Sequence, residues 1–390
     1  MNDGNIRLDI IRDEAAFTAL KAEWEPLWLK ANGRYFQRYD VSLLAWLHVA
    51  KPRERALHCI VIRENGELCL VWPLLTYRRA LWRYLLPLSS DSADYTGPLT
   101  EDRRDAALLI ERAWKAARTQ SNADLIRLPY LNEGSAIHCL AQREKHILDA
   151  QKDDCWIANL REYSDWATYT KSLGTLFNKK PGQLERRLAK EGKLEVFMMD
   201  PNDHKGIAEA IHWMLAIKRE WAEKVNKKGA WLFSQHYENF LVATLTYGAD
   251  KAPARIHVVK FNDVMIAACI MSHGNPLATG VISGFDLKYS QYKPGSIAWE
   301  TAIKWAFEQG YDVDFCPGSE KYKEYWTRGN RSHTWSMHVA NNTWGILGYR
   351  GANAVKDLVA AIRELKPGSR EQTAEGGRTV VASPREPISE

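Results

Sequence analysis

No stretch of this 390-residue chain reaches the roughly 18 consecutive apolar residues that a membrane-crossing helix needs. The start, Met1-Asn2-Asp3-Gly4-Asn5, has no basic segment followed by an apolar one, so no secretory signal is expected. The six cysteines, Cys59, Cys69, Cys139, Cys155, Cys269 and Cys316, form no Cys-x-x-Cys pair. Scattered through apolar strands, they read as free thiols in a reducing cytoplasm, with a Cys59–Cys69 bridge across a hairpin as the alternative. No Gly-x-Ser-x-Gly elbow, P-loop or dinucleotide fingerprint occurs. The eleven histidines lack metal-ligand spacing, so no metal is expected; His257 and His273 fall in strands and read as core. Charge of one sign is not in excess. The 53 basic and 48 acidic residues leave +5, too little for an obligate nucleic-acid binder, and no DNA partner is expected.

The chain is 45% hydrophobic, enough at this length for the cores of two domains. Tryptophan and tyrosine are abundant, at 16 each. Rings beyond the needs of a core suit an apolar or sugar-binding cleft.

Local patterns predict an alternating first half. Arg7–Ile11 is a strand, and Asp13 caps a helix whose buried face is Phe17, Leu20, Trp24, Leu27 and Trp28. His58–Ile62 and Leu68–Leu75 flank Glu64-Asn65-Gly66, a strong hairpin signal. A helix near 101–118, a strand at 125–128, a short helix and a strand ending near Trp156 follow. Ser164–Glu195 reads as helical and basic: either a solvated connection, or an arm facing a phosphate or acidic substrate.

The second half repeats this logic: strand 194–198, helices 205–225 and 234–247, a meander at 256–261, 264–273 and 278–285, helix 296–309, strand 312–316, strand 333–340 and helix 351–365. Asn262-Asp263 makes the tight turn of the meander. The division expected is 1–155, a basic helical connection 156–195, a second half 196–345, a C-terminal helix 346–366 and a disordered, aromatic-free tail 367–390.

Two segments carry chemistry. In Ser290-Gln-Tyr-Lys-Pro-Gly-Ser296, Pro294 presets its φ, Gly295 permits a sharp turn and Ser296 is a candidate N-cap. The helix beyond carries Ala298, Ala302 and Ala306 on one narrow face. Amides of Gly295, Ser296 and Ile297 would then face an anion, with Lys293 adding a charge. In Asp312-Val-Asp-Phe-Cys316, Asp314 sits mid-strand and needs a partner, for which Lys321, Lys323 and Arg328 are candidates. Glu320, Tyr322, Lys323 and Trp326 follow Gly318. A tyrosine can protonate a leaving thiolate, and a carboxylate can take a proton from an amine.

In the order Phe285-Asp286, Tyr-x-Pro-Gly-Ser, an alanine-rich helix ending at Gly310, Asp314-Phe315, Gly318, Tyr322-Lys323 and Trp326, the chain resembles the CelD-type acyltransferases, relatives of the GNAT and FemAB families. Trp24, the Trp-Pro-Leu of segment 68–75, Asp94-Tyr95 and Arg186-Arg187-Leu188 before Gly192 extend the resemblance over about 10–345. It implies an α/β (α+β) fold of tandem GNAT-like domains, each a mixed, largely antiparallel sheet flanked by helices. It also implies acyl-CoA (acetyl-CoA or longer) as co-substrate, held by Tyr292, Lys293, Gly295, Ser296 and Ile297, with no permanently bound cofactor. Asp314, Glu320, Tyr322 and Lys323 become the catalytic candidates, and Asp286 and Trp326 the acceptor contacts. The acceptor implied is a sugar nucleotide, lipid-linked sugar or polysaccharide. The setting is cytoplasmic or at the inner membrane face beside a biosynthetic complex. The usual GNAT Gln/Arg-x-x-Gly-x-Gly/Ala loop is absent, which leaves open an aminoacyl-tRNA donor, as in FemAB relatives. An inactive GNAT-like scaffold is the third reading.

Overall fold

The computed structural model describes residues 6–91, 95–224, 229 and 231–364; Asp94 and the tail from 367 lie outside them. The strands in chain order are β1 (Ile6–Ile11), β2 (Ala56–Leu57), β3 (Cys59–Glu64), β4 (Glu67–Trp72), β5 (Leu74–Arg79), β6 (Trp82–Pro87), β7 (Leu99–Thr100), β8 (Leu125–Asn132), β9 (Ile147–Ala158), β10 (Leu194–Met198), β11 (Ala254–Phe261), β12 (Val264–Ser272), β13 (Leu277–Phe285), β14 (Asp312–Pro317) and β15 (Arg331–Ala340).

Local chemistry sets the turns. Asn65 and Gly66 both take positive φ between β3 and β4, as do Asn262 and Asp263 between β11 and β12. That pairing of left-handed residues matches the twist of a two-residue hairpin. Asp13 accepts from the Ala16 amide and starts the first helix.

Eleven strands form one sheet in the order β10-β11-β12-β13-β14-β9-β15-β8-β6-β5-β2, and β1-β3-β4-β7 form a second. The large sheet is built twice from one plan. In the second half β13 is followed by the helix Pro294–Glu308 and then by β14, parallel to β13. In the first half β6 is followed by the helix Ala106–Gln120 and then by β8, parallel to β6. In both places the parallel pairing is brief. β13 and β14 are in register at 277–279 with 312–314, and β6 and β8 at 84–85 with 125–126. Beyond those residues the strands part.

The halves then exchange their last strands. β9, which closes the first half, pairs with β14 of the second, and β15, which closes the second, pairs with β8 of the first. β9 and β15 pair with each other along most of their length. Backbone hydrogen bonding therefore runs unbroken from one half to the other.

The helix Pro294–Glu308 lies against β11, β12 and β13 with Ala298, Ala302 and Ala306 fully buried. Methyl-sized side chains let the helix axis come close to the sheet. Three expectations are corrected. Ser164–Glu195 is not one helical run: it holds two short helices, Trp166–Ser172 and Gln183–Leu188, with a loop between them. The helix Pro294–Glu308 starts earlier than expected, with Lys293 as N-cap in place of Ser296, because Pro294 fits the first helical position. The last helix spans Thr343–Glu364, beginning eight residues before its expected start at 351. All six cysteines are free thiols.

Candidate functional site

Asp314 occupies the point where β14 leaves β13, and it is completely buried. An ionised carboxylate there must have its oxygens satisfied. Oδ1 accepts from the Tyr95 hydroxyl at 2.7 Å and from the Cys316 amide at 2.8 Å, and Oδ2 accepts from Arg34 Nη1 at 2.7 Å. The partners expected from the sequence, Lys321, Lys323 and Arg328, are not the ones found. Arg34 and Tyr95 come from the first half, 280 and 219 residues away. Arg34 also lies over the Tyr95 ring at 4.5 Å, and Phe36 stacks on that ring's plane at 5.5 Å.

The bend after Asp314 is made by Cys316 at φ 61°, left-handed backbone that a cysteine rarely adopts. The bond from its amide to Asp314 offsets part of that cost. Burial pushes the Cys316 thiol well above its ordinary range, and the Asp314 charge adds to the effect. Cys155, bonded to Thr334, is raised by burial to about 11. Neither sulfur is a thiolate near neutral pH, so neither is a nucleophile.

Gly318 follows at φ 147°. That backbone conformation favours glycine, and a Cβ there would also crowd Glu320 Oε2 at 2.3 Å and Lys323 Nζ at 2.5 Å. Lys323 is buried; its ammonium donates to the Pro317 carbonyl at 2.8 Å and meets Glu320 at 3.1 Å. Its donors are thus spent on the end of β14. Burial would raise the Glu320 carboxyl, but the charge and hydrogen bond of Lys323 outweigh it and hold the group low. The Glu320 side chain is 55% exposed. Burial, then the nearby Glu320 charge, raises the Tyr322 phenol well above its usual range, so it keeps its proton.

Tyr322 stacks on Trp299 at 5.4 Å, and Phe315 closes on both rings. Trp299 donates its indole N–H to Ser283 Oγ at 3.1 Å and lies over Gly280, where a Cβ would meet it at 2.4 Å. The opening between β13 and β14 is therefore floored by aromatic rings.

The loop predicted for the donor lies at the other end of that opening. Lys293 takes φ 54°, and its ammonium sits over the Phe177 ring at 5.0 Å. Gly295 packs against Phe285, and Ile297 is buried under the helix. Tyr292 meets Phe261 at 5.9 Å. Asp286 is engaged as the cap of the short turn Leu287–Tyr292, accepting from the Lys288 amide. Trp326 is buried against Trp166 and Tyr169, and its backbone carbonyl accepts from the Tyr169 hydroxyl. Glu320, Tyr322 and Lys323 thus gather beyond the end of β14, Asp314 turns to the other side of that strand to meet Arg34 and Tyr95, and Tyr292–Ile297 lie beyond the end of β13. Asp286 and Trp326 are held apart by capping and core packing.

Arg34 and Trp299 did not stand out in the sequence, and Tyr95 did so only as part of the Asp94-Tyr95 resemblance, with no role attached. The signal for the first two was the unpaired mid-strand Asp314, which required a cation without naming it.

Residues 179–324 match the family of the acetyltransferase (GNAT) domain. A comparison with curated proteins returns no match. Among solved structures, FemX superimposes at a TM-score of 0.56 with 12% identity, covering 82% of this chain and 96% of FemX. A tandem GNAT protein from the clavulanic acid biosynthesis pathway superimposes at 0.48 with 12% identity, over 86% and 99%. L-PGS from Bacillus licheniformis superimposes at 0.47 with 13% identity, over 84% and 95%. The mixed α/β architecture, a large and mostly antiparallel sheet flanked by helices, is the fold class expected from the sequence. The matched domain makes the chain an acyltransferase, and GNAT domains use acyl-CoA as co-substrate.

Proposed function

We propose that this chain transfers an acyl group from acyl-CoA to a nitrogen or oxygen of a sugar or polysaccharide precursor. One observation carries the reading. β13 and β14 pair over three residues and then part, with a helix N-terminus and Lys293 beyond the end of β13 and Tyr322, stacked on Trp299, beyond the end of β14.

The donor pyrophosphate sits on the amide of Gly295, where the helix dipole and Lys293 favour negative charge; the Ser296 amide, expected to join it, is taken by the Lys293 carbonyl at 2.9 Å. Its thioester arm lies along the gap, above Trp299. The acceptor approaches between the halves, beside Arg34 and Tyr95. Its amine or hydroxyl attacks the thioester carbonyl carbon, and the carbon–sulfur bond breaks. Glu320, ionised and half-exposed, takes the proton that the acceptor loses. Tyr322, held protonated, gives its proton to the departing sulfur, and solvent returns the Glu320 proton to Tyr322. Asp314 does not act as the base, because both of its oxygens are occupied. It orients Arg34 and Tyr95, and positioning of this kind supplies much of the rate.

A sugar acceptor rests on the resemblance of the motifs. The free thiols support a cytoplasmic setting, with lipid-linked acceptors met at the inner membrane face.

Calorimetry with acetyl-CoA and longer acyl-CoAs tests the donor. Micromolar binding that falls at least about ten-fold in Lys293→Glu, as loss and reversal of one phosphate contact requires, is the expected result. Absence of binding to every acyl-CoA would overturn the proposal.

A further inference from the structure

The loop between the helices Trp166–Ser172 and Gln183–Leu188 has a use that the donor loop alone does not explain. Leu176 and Lys179 exchange two backbone hydrogen bonds, at 3.0 and 3.1 Å, and close a two-residue turn. Its central residues, Phe177 and Asn178, take φ 54° and 57°. Asparagine is an ordinary occupant of such a turn, whereas phenylalanine is not. Phe177 does not serve the core either, being 51% exposed. The turn's geometry and the core's needs both leave the choice of an aromatic ring unexplained.

The loop is anchored to the donor helix at two points. The Gly182 backbone faces the Glu300 carboxyl, and the Lys293 ammonium covers one face of the Phe177 ring. The ring is thereby held beside Lys293, the N-cap of Pro294–Glu308, which lies two residues before Gly295. Lys179 sits in the same turn, and the Arg186 guanidinium lies over Gly182. A flat, half-exposed ring beside cations and a helix N-terminus fits a heteroaromatic base joined to phosphates.

We propose that Phe177 is a stacking platform for the purine base of a nucleotide-carrying acyl donor, with Lys179 and Lys293 beside the attached phosphates. The inference rests on the acyl-CoA reading and deepens it. Stacking on an aromatic side chain tolerates many bases, so the platform supplies affinity and orientation and leaves acyl-chain choice to the gap between β13 and β14.

Three probes separate the contributions in calorimetry: CoA, adenosine 3′,5′-bisphosphate and 4′-phosphopantetheine, which lacks the nucleotide. Phe177→Ala should weaken CoA and the bisphosphate by roughly ten-fold, within the range for loss of one base stack. Phe177→Trp should keep or improve both. Binding of 4′-phosphopantetheine should be the same in all three proteins. Unchanged CoA affinity in Phe177→Ala overturns the platform while leaving the donor reading intact. An equal loss for 4′-phosphopantetheine also overturns it, since the effect would then be on the loop and not on the base. Failure of the unmodified protein to bind any probe removes the donor reading and the platform together.

Discussion

Replacing Asp314 by asparagine tests whether this carboxylate holds the two halves together or performs proton transfer. The amide can turn its carbonyl to the place of Oδ1 and go on accepting from Tyr95 and the Cys316 amide. Its NH2 group then takes the place of Oδ2, 2.7 Å from Arg34 Nη1, and two donors face each other. Removing one member of a buried ion pair costs about 3–5 kcal/mol. The Arg34 side chain retains 23% exposure and can recover some hydration, so the low end, about 3 kcal/mol, is expected. In urea unfolding followed by tryptophan fluorescence, the midpoint should fall by about 1 M. Arg34→Met should cost at least as much, because the bare carboxylate it leaves behind is completely buried.

The double variant Arg34→Met with Asp314→Asn decides the matter. Neutral groups then face each other, and the pair should be more stable than the sum of the single losses predicts, by about 2 kcal/mol. Acyl transfer by Asp314→Asn, measured where the protein is folded, should fall while the shape of its pH profile stays the same. A variant that keeps its stability within about 0.5 kcal/mol, yet loses activity together with one limb of the pH profile, would refute this account and make Asp314 the base.

Two further outcomes follow from burial and close packing. Burial raises the Glu300 carboxyl from 4.5 to about 7, against hydrogen bonding from Gly182, so the folded protein binds a proton that the unfolded chain releases. The resulting stability is present below the unfolded value of 4.5 and is lost as pH rises through about 7. Glu300→Gln should therefore match the parent near the acid end and exceed it at alkaline pH by about 1–2 kcal/mol, read from urea midpoints across pH; parallel curves would contradict the assignment. Gly280→Ala places a methyl 2.4 Å from Trp299, whose indole is fixed by Ser283, Phe315 and Tyr322. It should cost about 1–3 kcal/mol and raise the KM for acyl-CoA. Thermal melts and initial rates check both, and a neutral effect would mean that the indole is free to move.

What could be read in the sequence was what neighbouring residues decide. The caps and turns at Asp13, Asn65-Gly66 and Asn262-Asp263 are local, and each was visible because the side chains that satisfy the backbone lie within three or four positions. The alternating meander and the alanine face of Pro294–Glu308 were visible for the same reason, and they were enough for the fold class. Segment 164–195 failed because basic composition resembles a solvated helix, whereas Pro181-Gly182 and the left-handed Phe177-Asn178 break it. The exchange of β9 and β15 left no local trace, since either strand satisfies the same hydrogen-bonding edge. That exchange is also what hides half of the site. With β9 lying against β14, the first half is brought beside Asp314, and Arg34 and Tyr95 become its partners in place of the nearby lysines. A buried charge announces that it needs a partner, but chain topology chooses which one, so the search for acceptor contacts belongs on Arg34 and Tyr95 of the first half as much as on the motif beyond β14.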